Sequence, residues 1–355
     1  MLLQLFQIFL KIGSTAFGGP IIHIAMVEQE IVSKQKLISK DQFLNYIGMI
    51  NLIPGPNSTQ LIMLCGLKLK GISGMLVSGF AFIFPAVLIT LILAIIYQQS
   101  SNLTFLIPIF SYLKYGVFPI ILFSLIKFTK SASKNYSLAL ILVLSTLTDF
   151  IFNNEILIIF VMGIIGFITS ILIKNNKNKL YSINIILLSS IFYKFLIIGF
   201  TLFGGGFLLI AYVRDQFFQM LSNEQILDAI AFGQFTPGPI LTSVTFMGYQ
   251  MGGVLGAFVA TVGIFIPSII LIPLLDKIFS SYKNPKISLF IDNINAASIG
   301  VMLAITIKIA LELDTNLYGL PIIIINSLLF YKKTPALYLI FLSMIYGYGI
   351  SFINI

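Results

Sequence analysis

The sequence predicts an all-α polytopic membrane protein made of two repeats with opposite orientation in the bilayer. Three observations carry that prediction. First, 58% of the 355 residues are hydrophobic and only 9% are charged, with a mean hydropathy of +1.03; a soluble domain needs about 25% charged residues for its wet surface. Second, the chain repeats itself. Third, one tripeptide, Pro54-Gly55-Pro56 and again Pro237-Gly238-Pro239, interrupts an apolar run in each repeat.

The composition also excludes. Cys65 is the only cysteine and His23 the only histidine, which removes internal disulfides, cysteine-rich metal sites and histidine-built metal cages. The net charge of +9 sits as lysines in short loops between apolar runs. It reads as membrane topology rather than a nucleic-acid footprint. Met1 to Leu10 is apolar, without a basic leader or a small-residue cleavage site, so no removable signal is expected there. No cofactor is expected.

In chain order, apolar segments run over 1–26, 41–67, 71–98, 103–126, 136–152 and 155–173, then over 183–212, 225–248, 252–275, 286–311, 316–331 and 335–353. Most reach the roughly 20 residues of a spanning helix; 136–152 and 316–331 fall short. The two series align. Gly13 through Phe17-Gly18-Gly19 parallels Gly199 through Phe203-Gly204-Gly205, and Ser39-Lys40-Asp41-Gln42 parallels Ser222-Asn223-Glu224-Gln225. Pro-Gly-Pro follows at the same distance; Gly71 and Gly74 then match Gly253 and Gly256, and Pro85 matches Pro267. Such self-similarity marks a duplication, with residues 1–180 and 181–355 as its copies.

Lysines orient the copies. Lys34, Lys36 and Lys40 precede the first Pro-Gly-Pro segment and Lys68 and Lys70 follow it, so both of its ends read as cytoplasmic. A segment with both ends on one side dips in, turns at Pro54-Gly55-Pro56 and returns. The second Pro-Gly-Pro segment is flanked by Arg214, Asp215, Glu224 and Asp228 on one side and by the uncharged Tyr249 to Gly253 on the other, and reads as external. Each copy is thus expected to carry about five spanning helices and one re-entrant hairpin. Residues 1–26 are expected to span, with a re-entrant course at Gly18-Gly19-Pro20 as the alternative.

The tripeptide points to chemistry. Proline removes a backbone donor and clashes with the preceding turn, so Pro-Gly-Pro stops a helix. In hydrocarbon the freed groups need protein partners or a wet cavity, and matching breaks in two halves mark a transport site. Asn57, Ser58 and Thr59 follow Pro56 and suit a helix start. A half-helix beginning there exposes amides and a positive dipole end, which bind anions. In the second copy Pro239 starts the half-helix, with Thr242 and Ser243 one turn on. Asn51 and Gln234 stand three residues before the tips, able to donate to a ligand or only to cap freed carbonyls. The bland alternative is a proline kink packed against neighbours.

Gly18-Gly19-Pro20 and Gly204-Gly205-Gly206 break the first segment of each copy. They allow close approach by a ligand or simply a small-residue helix crossing. Lys114, beside Tyr115 and Gly116, is the candidate for drawing an anion inward; Lys11 can snorkel to an interface. Lys308 and Glu312 have the i, i+4 spacing of a structural pair. His23, Glu28 and Glu30 are the proton-coupling candidates near a break, though a lone histidine is commonly just packed.

Together, Gly13-Ser14-Thr15-Ala16-Phe17-Gly18-Gly19-Pro20, His23-Ile24-Ala25, the run from Asn51 through Pro54-Gly55-Pro56 to Gln60, and Gly79-Phe80-Ala81-Phe82-Ile83-Phe84-Pro85 resemble the chromate ion transporter family in its long, two-domain form. The likeness covers nearly the whole chain. It is looser in the second copy, where Gly206 replaces Pro20 and Ile240-Leu241-Thr242 replaces Asn57-Ser58-Thr59. The resemblance implies a multi-pass carrier in a bacterial inner membrane that moves chromate, outward in characterised members. Sulfate is an expected competitor, being another divalent tetrahedral oxyanion. The expected partners are the oxyanion, the lipid bilayer and, as a candidate, a second copy of the chain, but no nucleic acid. No Walker-type loop is present, so ATP is not the direct drive. An intramembrane enzyme would want a Ser-His pair, paired aspartates or a zinc motif; with one histidine, no zinc motif and no aspartate pair in segment centres, that alternative is the weaker one, while an anion channel built on the same half-helix dipoles stays open.

Overall fold

The computed structural model describes residues 1–17, 19–51, 53–100, 112–132, 136–152, 158–159, 161–162, 186–202, 209–217, 220–278, 285–312, 318–332, 334 and 336–351. All regular structure among them is helical. Two helices, Asn57–Gln99 and Ile240–Lys277, are long and apolar enough to cross a membrane.

Helix α1 (Leu2–Thr15) stops at Ala16, whose backbone is extended, and Gly19 at φ 85° leads into α2 (Pro20–Val27) with Pro20 in its first turn. A π-helical turn over Glu28–Lys34 continues α2. This arm runs back beside α1. The Gln4 amide bonds Gln35 at 3.2 Å, Lys11 Nζ bonds Glu30 at 3.0 Å, and His23 Nε2 reaches the Ala16 carbonyl at 3.2 Å. Those pairs follow an antiparallel register. The expectation that 1–26 spans as one helix is therefore corrected: α1 alone is about 21 Å long, short of the ~30 Å hydrocarbon core, and its apolar continuation folds back. Hydropathy registers the run of apolar residues but not the turn inside it.

Helix α3 (Lys40–Ile50) begins at a reciprocal cap, in which the Ser39 hydroxyl accepts from the Gln42 amide and the Gln42 side chain accepts from the Ser39 amide. This satisfies two of the helix's orphan donors. Helix α4 (Asn57–Ser100) follows the first Pro-Gly-Pro and is bent at Lys70 and Gly71. Gly71 has φ 63° and ψ −156°, a conformation open essentially to glycine alone. The bend folds 57–69 against 72–100 so closely that a Cβ on Gly66 or Gly74 would overlap the other's carbonyl. Then come α5 (Leu113–Ala132) and α6 (Tyr136–Phe152).

The second half repeats the order. Helix α7 (Ile186–Thr201) and α8 (Leu209–Phe217) fold back on each other, with the Tyr212 hydroxyl donating to the Thr201 carbonyl at 2.7 Å and Lys194 bonding the Gln216 carbonyl. Ser222 and Gln225 form the same reciprocal cap on α9 (Asn223–Phe235). After the second Pro-Gly-Pro, a 3-10 turn (Ile240–Thr242) leads into α10 (Ser243–Ile278), bent at Gly252 and Gly253, where Gly248 and Gly256 repeat the close contact.

Helices α11 (Pro285–Glu312), α12 (Gly319–Tyr331) and α13 (Ala336–Ser351) complete the described chain. Helix α6 lies on α11 through Thr146, which donates to the Gly300 carbonyl at 2.9 Å. Lys308 bonds the fully buried Asp149 at 2.7 Å. The partner expected for Lys308 from helical spacing is Glu312, whose side chain lies outside the described residues; the neighbouring helix supplies the Asp149 carboxylate. Helix α5 meets α12 and α13 at Tyr115–Gly319 and Gly116–Ser343.

Candidate functional site

Each Pro-Gly-Pro tip is bonded to the half it does not belong to. The Gly55 amide donates to the Leu202 carbonyl at 2.7 Å, and the Gly238 amide donates to the Ala16 carbonyl at 3.0 Å. Ala16 and Leu202 each follow the last residue of the first helix of their half, so both carbonyls are ones a broken helix leaves unpaired. Each costly break satisfies the other. Close packing enforces the lock: Gly55 and Gly238 have φ of 122° and 95°, and a Cβ on Gly238 would stand 3.0 Å from Ala86 while one on Gly55 would crowd Gln60 and Ser268. Ala86 and Ser268 directly follow Pro85 and Pro267.

At the first tip, Asn57 Nδ2 donates to Asn51 Oδ1 at 3.0 Å and closes the loop. Gln60 Nε2 donates to the Pro54 carbonyl at 2.6 Å and lies 3.4 Å from Ser268 Oγ across the interface. The first helical bond after the break is Gln60 N–H to the Pro56 carbonyl. The amides of Asn57, Ser58 and Thr59 therefore precede the ladder, at the positive end of the 57–69 half-helix. Ser58 and Thr59 are buried, and Thr59 Oγ1 and Gln60 Oε1 have no hydrogen-bond partner. A buried polar atom without a partner costs about 1–3 kcal/mol; of the two, the Thr59 hydroxyl can donate, so it is the one an anion would repay.

The second tip is more self-contained. Thr242 and Ser243 hydroxyls turn back on the Pro239 and Ile240 carbonyls at 2.9 and 2.6 Å. Thr90 of α4 stands 3.5 Å from both Thr236 and Thr242. Gln234 is buried and its Nε2 has no partner.

His23 ties the pieces together. Its Nδ1 lies 3.2 Å from Ser58 Oγ and its Nε2 3.2 Å from the Ala16 carbonyl, with the Phe82 ring edge-on at 5.2 Å. A Cβ on Gly19 would stand 3.7 Å from Ile240, just past the second tip. Contacts thus join His23, Asn51, Pro54, Asn57 and Ser58 at the first tip, and Thr236 and Thr242 to Thr90 at the second. Glu30 stands apart, its carboxylate bonded by Lys11 and Lys34 at 3.0 Å each, and Glu28 lies on the same turn. Gly18, Gly204, Gly205, Gly206 and the side chain of Lys114 lie outside the described residues. Sequence reasoning missed Gln60, Thr90, Thr236 and Ser268 as site neighbours. Their signal was a polar residue within an apolar helix or beside a break. The backbone roles of Ala16 and Leu202 leave no side-chain signal.

Contacts at the two ends of this core are also cross-half. Lys68 forms an ion pair with Asp276, and the Tyr97 hydroxyl donates to Asp228 at 2.6 Å.

The sequence profile of the family described as chromate transporter matches residues 3–167 and again 189–348. An uncharacterised transporter of Methanocaldococcus jannaschii is 30% identical over 98% of this chain and 94% of its own length. The chromate transport protein of Cupriavidus metallidurans is 28% identical over 93% of this chain and 88% of its own, and that of Pseudomonas aeruginosa 26% over 86% and 80%. No solved structure matches.

Proposed function

The chain belongs to the chromate transporter family, a family of membrane proteins, and from that premise we propose that it is a secondary active carrier of a divalent tetrahedral oxyanion. Chromate is the favoured substrate, moved outward, with sulfate competing for the same site. The observation that carries the reading is the first tip, where the helix-start amides of Asn57, Ser58 and Thr59 and the orphaned Thr59 hydroxyl share one turn. Those donors suit an anion and offer a cation little. The second tip, whose hydroxyls are spent on its own carbonyls, acts as the gate.

Two halves of opposite orientation rock around this point. Gln60–Ser268 and Lys68–Asp276 pair the 57–69 half-helix with the 254–278 stretch in the same direction. Since the Gly71 bend reverses the chain, 72–100 runs against 254–278, and Tyr97–Asp228 joins the opposite end. Inversion thus rests on contacts rather than on a parity of crossings. Both tips are re-entrant, entering from opposite faces, and the first hairpin of each half enters beside them. Among the coupling candidates, His23 touches the tip, whereas Glu30 is held by lysines.

The test is oxyanion flux in proteoliposomes. Wild-type chromate flux should saturate, show counterflow and fall when sulfate is added. Asn57→Ala, Ser58→Ala and Lys114→Ala should each lower it; unchanged flux in all three would remove the site, and flux without saturation or counterflow would make the protein a channel.

A further inference from the structure

We infer that His23 and Ser58 form a proton-controlled donor switch, so that the first tip binds its anion together with a proton. This rests on the oxyanion reading of the first tip and adds its regulation.

The hydrogen bonds force the tautomer. The Ala16 carbonyl can only accept, so the His23 Nε2 that faces it at 3.2 Å carries the proton of the neutral ring. Nδ1 is then an acceptor, and the Ser58 hydroxyl 3.2 Å away donates to it. A serine hydroxyl has one hydrogen. While His23 is neutral, Ser58 spends that hydrogen on the ring and shows a ligand only lone pairs, which repel an anion. When Nδ1 takes a proton from water, its N–H donates to Ser58 Oγ and the hydroxyl hydrogen is freed to turn toward the anion. One proton thus reverses one donor and adds one positive charge beside a dianion. Nε2 keeps its bond to Ala16, whose carbonyl also accepts from Gly238 of the other half, so the switch sits on the joint between the halves.

The surroundings leave His23 as the group that titrates there. On α1 the ionisable residue is Lys11, and on its own arm they are Glu28, Glu30 and Lys34; Lys11 and Lys34 bond Glu30. Helix α3 carries Lys40, Asp41 and Tyr46. Helix α4 carries Cys65, Lys68, Lys70 and Tyr97, of which Lys68 bonds Asp276 and Tyr97 bonds Asp228. The loop 236–242 has no titratable side chain. Among the described residues, the polar atoms bonded to the ring are those of Ser58 and Ala16.

The test is equilibrium binding of radiolabelled sulfate to the purified full chain between about pH 4 and 9, a span that covers proton exchange by a buried ring both without and with a dianion beside it. Sulfate stays a dianion throughout, whereas chromate itself takes up a proton near neutrality. Affinity should rise as pH falls, by up to about tenfold per unit for one linked proton. His23→Gln, which keeps a donor and an acceptor but cannot charge, should bind at the weak high-pH level with no slope. Independently of any variant, sulfate added to weakly buffered wild-type protein near neutral pH should draw protons from solution. Sulfate binding with a flat pH profile, a slope that survives in His23→Gln, or no proton uptake overturns the switch but leaves the anion site standing. If neither sulfate at any pH nor chromate at pH 8 binds the wild type, the oxyanion reading fails and the switch with it.

Discussion

Gly238→Ala tests the cross-half lock most directly. Gly238 has φ 95°, and placing alanine there costs roughly 1–3 kcal/mol of backbone strain. The added methyl would also stand 3.0 Å from the Ala86 Cβ and 3.3 Å from the Gly13 carbonyl. Neither neighbour can swing aside, since one is fixed to its helix backbone and the other is backbone. Overpacking of that kind costs about 1–3 kcal/mol, or the tip retreats and weakens its bond to the Ala16 carbonyl, worth about 0.5–1.5 kcal/mol net. The expected loss is roughly 2–5 kcal/mol. Gly71→Ala is the control: it too has positive φ, but its Cβ would meet nothing within 4 Å, so it should pay only the strain. Unfolding of both variants in detergent, followed by the fraction still monodisperse after heating or denaturant, gives the comparison. Adding Ala86→Gly should recover part of the Gly238→Ala loss beyond additivity. The reasoning is refuted if Gly238→Ala is no less stable than Gly71→Ala, or if the double variant is merely additive.

Two further outcomes follow from single contacts. Asp149→Asn or Lys308→Met should each destabilise, because each breaks an ion pair whose carboxylate is fully buried, whereas the double change should cost less than the sum; a double-mutant cycle in detergent unfolding measures this, and additive losses would mean the pair is not coupled. Thr59→Val removes a buried hydroxyl that has no partner, so stability should hold or rise while sulfate affinity falls about 2- to 10-fold; calorimetric titration beside a melting curve separates the two effects.

Much of the fold was legible because breakers and caps act locally. Pro-Gly-Pro stopped α3 and α9 where the residues said, while the glycines and Ser–Gln pairs that had only matched the two copies proved to be bends at Gly71 and Gly253 and caps on α3 and α9. The membrane class needed only composition. The first segment misled because apolarity does not encode direction: Gly19 and Pro20 were visible as a break, but Lys11–Glu30 and Gln4–Gln35, which zip the arms together, are distant pairs. The Lys308–Asp149 pair was not legible for a related reason, since Asp149 lies 159 residues away and no helical spacing points to it.

Of the site, the sequence by itself determined the parts: two costly tips, a helix start rich in small polar groups after the first, and one histidine near a break. Those follow from backbone chemistry, which a residue carries wherever it sits. Tertiary structure alone decided who satisfies whom. The tips bond carbonyls of opposite halves, Gln60 looks across to Ser268, and His23 reads Ser58 on one side and Ala16 on the other. Each of those bonds is made by a backbone group or a short polar side chain whose partner is chosen by how the halves pack, and packing of two halves is not written in either half's local pattern.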